Sequence, residues 1–172
     1  MRKRPVMLVG IFAALLSLAV LLAACEDDEE DGGGEDPTAT GERVETPQAG
    51  ATVNVNLTEY LVAPDADSAP AGPITFDVTN IGSTDHELVI IKTDLAPEAL
   101  PTVENGSVDE VGEAIEMLDA TQRLARGGEE KLTIDLAPGA YVLVCNVVQE
   151  RPDGELVSHY NQGMRAALEV TE

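Results

Sequence analysis

Two histidines, His86 and His159, and one cysteine outside the apolar N-terminal stretch, Cys145, are the residues of this chain best suited to hold a metal. Met164 follows them, and the last three are spaced C-x13-H-x4-M. Cys145 closes the apolar run Tyr141-Val142-Leu143-Val144, and His86 stands about sixty residues upstream beside a second apolar run. One thiolate, two imidazoles and one weak thioether are the donor set of a mononuclear blue-copper site. A soft sulfur with two nitrogens suits copper in both oxidation states, and a long axial sulfur tunes the potential. Taken singly, each residue has a plainer reading: a turn histidine, a buried thiol filling core space, a loop histidine, a core methionine. Taken together they stand at strand ends in the order a metal site needs.

Other chemistries fit the same residues less well. A binuclear copper site wants a second cysteine nearby, and the sequence has no C-x3-C run. Structural zinc favours a closed Cys/His set without methionine. A Cys–His nucleophile needs a third, orienting group, and nothing in the sequence marks one. No bond-making chemistry is expected, so the chain does not read as an enzyme.

Elements must bring these residues together, and the alternation of the chain supplies them. Thr52 to Leu57, Ile74 to Thr79 and Lys131 to Leu136 alternate polar and apolar, as half-buried strands do. Leu88 to Ile91 and Tyr141 to Val144 are unbroken apolar runs, suited to strands buried on both faces. Arg165 to Thr171 closes the domain. Pro70-Ala71-Gly72-Pro73, Asn80-Ile81-Gly82-Ser83 and Pro138-Gly139 punctuate the runs as turns. About seven short strands set between Gly and Pro describe an all-β sandwich or barrel. One stretch departs from this. Over 108–125, Val111, Ile115, Met117 and Leu118 fall near helical spacing, with Asp109, Glu110 and Glu113 at one end and Arg123 and Arg126 at the other. A short helix or helical loop is expected there, with Met117 packing rather than ligating.

The N-terminal fifty residues read differently. Met1-Arg2-Lys3-Arg4 is basic, Val6 to Ala24 carries no charge, and Leu22-Ala23-Ala24-Cys25 sets small residues before a cysteine. This pattern is a secretory signal that resembles a bacterial lipobox, with cleavage after residue 24 and lipidation at Cys25. An uncleaved membrane anchor is the alternative, and it leaves the domain on the same side. Residues 25–50 follow, rich in acid, Gly, Pro and Thr, and read as a solvated tether reaching at most roughly 80–90 Å. A calcium-binding role for this acidic run lacks the spacing of a calcium loop. Residues 51–172 form the folded domain.

Formal net charge is −22, and removal of residues 1–24 takes three of the ten basic residues against 32 acidic ones, leaving −25. Nucleic acid is therefore excluded as a partner. With Cys25 lipidated, Cys145 is an unpaired thiol in an oxidising compartment, a liability unless buried or metal-bound. A Cys25–Cys145 disulfide is the other possibility.

Three segments resemble the cupredoxins. Val78-Thr79-Asn80-Ile81-Gly82-Ser83-Thr84-Asp85-His86-Glu87-Leu88 is similar to their first ligand segment, and Pro138 to Asn146 to their cysteine strand. Ser158-His159-Tyr160-Asn161-Gln162-Gly163-Met164 is similar to their terminal His and Met segment. The resemblance covers residues 51–172 and is nearest to the sulfocyanin-like branch, which has long ligand loops. It implies a Greek-key β-sandwich holding copper, with His86, Cys145, His159 and Met164 as ligands, that shuttles single electrons between redox proteins at the cell envelope. A copper carrier with the same ligands, or a metal-free binding module, are the alternative readings. Two departures stand out. Thirteen residues separate Cys145 from His159, where small cupredoxins have a few, so 146–158 should form its own hairpin or flap and restrict access to His159. Glu87 stands where many cupredoxins place a bracing Asn, a role that could pass to Asn146. In the family the second histidine is the exit for electrons, which here would set Leu156, Val157 and Tyr160 in a docking patch rimmed by Asp153 and Glu155. The domain carries 22 acidic and six basic side chains, so its redox partner should present a basic docking surface.

Overall fold

Alternation along the chain becomes two facing sheets in the computed structural model, which describes residues 50–172. The expected signal segment 1–24 and the lipidation site Cys25 lie outside the described residues, as does all of the expected tether except Gly50. In β1 (Ala51–Thr58), Val53, Val55 and Leu57 are buried while Thr52, Asn54 and Asn56 face water. β4 (Gly72–Asn80) does the same with Ile74, Phe76 and Val78. β2 (Leu61–Pro64) and β7 (Glu129–Leu136) complete this sheet in the order β2-β1-β4-β7. The second sheet runs β3-β11-β8-β5-β6, from β3 (Ser68–Pro70), β11 (Arg165–Thr171), β8 (Gly139–Val144), β5 (Val89–Lys92) and β6 (Glu116–Ala120). The chain crosses between sheets after β2, β3, β4, β6 and β7, which makes the sandwich a Greek key.

The main core fills the space between the sheets. Val53, Leu57, Phe76 and Val78 from one face meet Leu88, Ile90, Leu143 and Leu168 from the other. Full burial of each such side chain contributes roughly 1.5–3 kcal/mol. A second cluster covers the back of the second sheet, where Val89, Ile91, Val142 and Val144 pack under Leu100, Val108 and Tyr160. The unbroken apolar runs of β5 and β8 are explained by this double burial.

The helix expected over 108–125 does not form. Gly112 sits in a turn, its amide donating to Asp109 O, and Val111 is almost fully exposed. Residues 116–120 are a strand instead, paired antiparallel to β5 with a register shift between Ile90 and Ile91. The open edge of β5 offers backbone hydrogen bonds, and the sparse apolar spacing of this stretch gives a helix no continuous face to bury. Met117, on this edge strand, is partly exposed rather than core packing. Among the described residues the one helical element is a 3-10 turn, Pro97–Ala99.

Two registers position the site. β8 lies between β5 and β11, with Val144 opposite Val89 on one side and Arg165 on the other. The residues one step beyond, Cys145 and Met164, therefore meet at one end of the sandwich, and Cys145 N donates to Met164 O at 3.0 Å. β1 and β4 are parallel, so the turn after β1 and the loop after β4 emerge at the same end. Ile81 N and Gly82 N both donate to Leu57 O there.

Candidate metal centre

His86, Cys145 and His159 converge at that end, each offering one donor atom within 4.8 Å of the others. Cys145 Sγ is 3.7 Å from His86 Nδ1 and 3.4 Å from His159 Nδ1, and the two Nδ1 atoms are 3.1 Å apart. Bonds of about 2.0 Å to nitrogen and about 2.3 Å to sulfur put ligand atoms roughly 3.3–3.7 Å apart around one ion. The separations found here are close to that range, so the donor set fits a single soft-to-borderline metal ion.

The three side chains are held by different devices. Cys145 follows directly from the hydrogen-bonded end of β8. His86 is fixed in a backbone bridge with Leu124, His86 N donating to Leu124 O and Leu124 N to His86 O. His159 N donates to Val147 O, and Met164 N returns to His159 O at 3.0 Å, closing the His159–Met164 loop on itself. Met164 is completely buried in the same core cluster as Cys145, to which it is joined through the backbone bond from Cys145 N to Met164 O.

Burial sets the electrostatics. It pushes the Cys145 thiol up to about 11, opposed by the backbone amides of Glu87 and Val147. It holds His86 below the ordinary histidine range and takes His159 down to about 4, where the nearby His86 charge adds to the effect. Both rings are therefore neutral at pH 7 and can donate a lone pair to a metal. The Glu87 side chain is not the brace that an Asn would be; its carboxyl is raised by burial, and its backbone amide serves the sulfur instead.

The 146–158 segment does form its own hairpin, from β9 (Val148–Glu150) and β10 (Leu156–Ser158). Ser158 Oγ donates to Gly106 O at 2.6 Å, which ties the hairpin's exit to the 103–107 loop. Gly106 adopts a left-handed φ of 82°, and a Cβ there would come within 2.3 Å of Asn161 Nδ2, so the two loops are pressed together. His159 is in consequence 2 % exposed and is no surface ligand. The expected patch around it is corrected in the same way. Val157 and Tyr160 are buried, the Tyr160 hydroxyl donating to Pro97 O and accepting from Leu100 N, and only Leu156 faces water. Asn146 braces a different place from the one expected, accepting from Val108 N and donating to Glu110.

Three residues near the centre carried no role in the sequence. Asn80 is fully buried and donates to Thr84 O and Leu124 O while accepting from Gly82 N, so it braces the His86 loop. Its place in an Asn-x-Gly segment before His86 was the available signal. Glu59 Oε1 accepts from Ser83 N, Ser83 Oγ, Thr84 N and Thr84 Oγ1, and the Ser83 amide leads the bonds that bring its carboxyl down to about 2. Tyr60 places its ring edge-on to His159 at 6.3 Å. Neither Glu59 nor Tyr60 stands in a recognisable pattern.

No protein-family model matches the chain, and no curated protein matches it. Solved structures do. Auracyanin B is 23% identical with a TM-score of 0.50, over 74% of this chain and 92% of that one. Reduced auracyanin from the photosynthetic bacterium Roseiflexus castenholzii is 25% identical with a TM-score of 0.48, over 71% of this chain and 98% of its own. Auracyanin A, a "blue" copper protein from Chloroflexus aurantiacus, is 17% identical with a TM-score of 0.47, over 72% and 100%. The fold is that of the cupredoxins, a Greek-key β-sandwich.

Proposed function

We propose that this chain is a mononuclear blue-copper electron-transfer protein, held on the outer face of a membrane by a lipid on Cys25. The observation that carries the reading is the convergence of His86 Nδ1, Cys145 Sγ and His159 Nδ1 in a dry core. Met164 would hold the ion with them as a weak thioether donor. Copper bound there supplies one-electron chemistry between its two oxidation states.

The protein's part is to keep the donors still. Strand ends and closed loops hold each ligand before metal arrives, so little rearrangement accompanies a change of charge. Burial disfavours a free thiolate at Cys145, and the backbone amides of Glu87 and Val147 offset part of that cost. Burial excludes water from the sulfur and limits its oxidation. The same burial favours this reading over a copper carrier, which needs an accessible ligand for an acceptor to attack. No bond chemistry is assigned to the site. The long segment between Cys145 and His159 is the feature that favours the sulfocyanin-like branch.

The oxidised, copper-loaded protein should show intense thiolate-to-copper charge transfer in the visible range. Copper binding without that band sinks the assignment. Rapid loss of Cu(I) to a competing chelator supports the carrier instead. For the anchor, Cys25→Ala should release the protein from the membrane fraction; unchanged membrane association rules out the lipid at Cys25.

A further inference from the structure

The turn between β1 and β2 supplies no ligand, yet it is built around the two imidazoles. Glu59 lies on the outer side of His86. Its carboxylate is 3.8 Å from His86 Nε2, and Thr84 Oγ1 bridges the gap, 3.4 Å from Nε2 and 3.2 Å from Glu59 Oε1. The hydroxyl can accept from Nε2 while donating to the carboxylate, a relay that places the ring proton on Nε2 and leaves the Nδ1 lone pair facing Cys145. Gly82 shows how close the packing is: a Cβ there would lie 2.9 Å from His86 Nε2 and 3.0 and 3.1 Å from the two carboxylate oxygens.

Tyr60, the next residue, has a φ of 67° and is the only non-glycine with positive φ among the described residues. An aromatic side chain in the left-handed region is strained, and such strain persists only where surrounding structure enforces it. Here the ring stands perpendicular to His159 at an interplanar angle of 87°. Gly163, between His159 and Met164, admits the turn from the other side; a Cβ on it would meet Tyr60 O at 3.3 Å. The phenol also lies near Arg151 of the β9–β10 hairpin, whose charge is supported by Glu155 first and by Tyr60 next. The base of the β1–β2 hairpin is clamped as well. Asp65 N donates to Asn54 O, and the Asp65 carboxylate accepts from Asn54 N at 2.9 Å and Asn54 Nδ2 at 2.6 Å.

We infer that the Glu59-Tyr60 turn is the outer wall of the metal centre, Glu59 positioning His86 through Thr84 and Tyr60 closing over His159. This rests on reading His86, Cys145 and His159 as metal ligands. Outer partners that orient a ligating histidine typically change metal affinity by about 10–100-fold when removed. The turn therefore decides how firmly the centre holds its ion, although it touches none.

Zn(II), which has no redox chemistry, is the probe, with binding and release measured on the full domain beside copper. Glu59→Gln and Thr84→Val should weaken Zn(II) binding by about 10–100-fold. Thr84→Ser, which keeps the hydroxyl, should restore it, and Glu104→Gln, a charge loss at an exposed site, should leave it unchanged. Tyr60→Gly relieves the left-handed strain, so it should raise the melting temperature of the metal-free protein while speeding Zn(II) release. Affinity and release unchanged in both Glu59→Gln and Tyr60→Gly overturn the inference, whatever happens to metal-free stability. If the wild-type chain takes up neither Zn(II) nor copper, the ligand reading has failed on its own account. The wall is then judged from the His86 ring: a Nε2 proton that exchanges as fast in the wild type as in Glu59→Gln overturns it.

Discussion

Gly82→Ala tests whether the ground beneath His86 is as tight as the geometry makes it. The backbone at Gly82 is not left-handed, so an alanine meets no torsional penalty there and the effect is steric. Its Cβ would stand 2.9 Å from His86 Nε2, about 0.5 Å inside the 3.4 Å at which contact becomes ordinary, and almost as close to both Glu59 oxygens. Neither neighbour yields freely. The imidazole is fully buried, and the carboxylate is pinned by Ser83 and Thr84. Overpacking of this kind costs about 1–3 kcal/mol. A shift of about 0.5 Å is also the tolerance within which a preorganised site works. Metal binding should therefore weaken by at least about tenfold, a further loss of about 1.4 kcal/mol in the loaded protein. Gly154→Ala is the comparison: φ there is 85° with open space around the new methyl, so it pays about 1–2 kcal/mol of backbone strain and nothing at the centre. Urea unfolding of each variant with and without metal separates the two effects. Gly82→Ala should lose more stability loaded than unloaded, and Gly154→Ala the same in both. Equal losses for Gly82→Ala with and without metal would refute the reasoning.

Cys145→Ser should abolish the charge-transfer band of the copper-loaded protein and keep the strand content seen by circular dichroism; a full band in the variant shows the sulfur ligand to be elsewhere. Met164→Leu removes the thioether proposed as a weak ligand and should keep the blue colour while raising the reduction potential, as read by redox titration; complete loss of copper makes Met164 a principal ligand instead. The Asp65 carboxyl is held below its ordinary value of 3.8 by the Asn54 side chain first and its amide next. Its contribution is thus present above pH 3.8 and lost as pH falls through the lowered folded value. Asp65→Asn should flatten the acid limb of the stability profile, and an unchanged limb assigns acid sensitivity to other carboxylates. Electron transfer to a cationic acceptor should slow as salt rises, since the domain has 22 acidic side chains against six basic ones; identical salt responses for cationic and anionic acceptors exclude steering.

The sequence by itself determined the sandwich and pointed to the candidate donors. Alternation in β1, β4 and β7 and the unbroken runs of β5 and β8 are local consequences of which faces must leave water. A residue beside such a run is placed by its strand, which is why His86, Cys145 and His159 could be read together as a candidate metal centre. Tertiary structure decided what surrounds them. The 116–120 stretch became a strand because β5 had an edge to fill, a demand invisible in its own residues. Ser158, next to the buried His159, is tied to the 103–107 loop through Gly106 O, a contact between segments about fifty residues apart. Glu59 and Tyr60 reach the imidazoles only because β1 and β4 run parallel and end together. Periodicity reports the burial of a single element, whereas the wall of this centre is assembled by register between elements, and register has no signature in the residues it brings into contact.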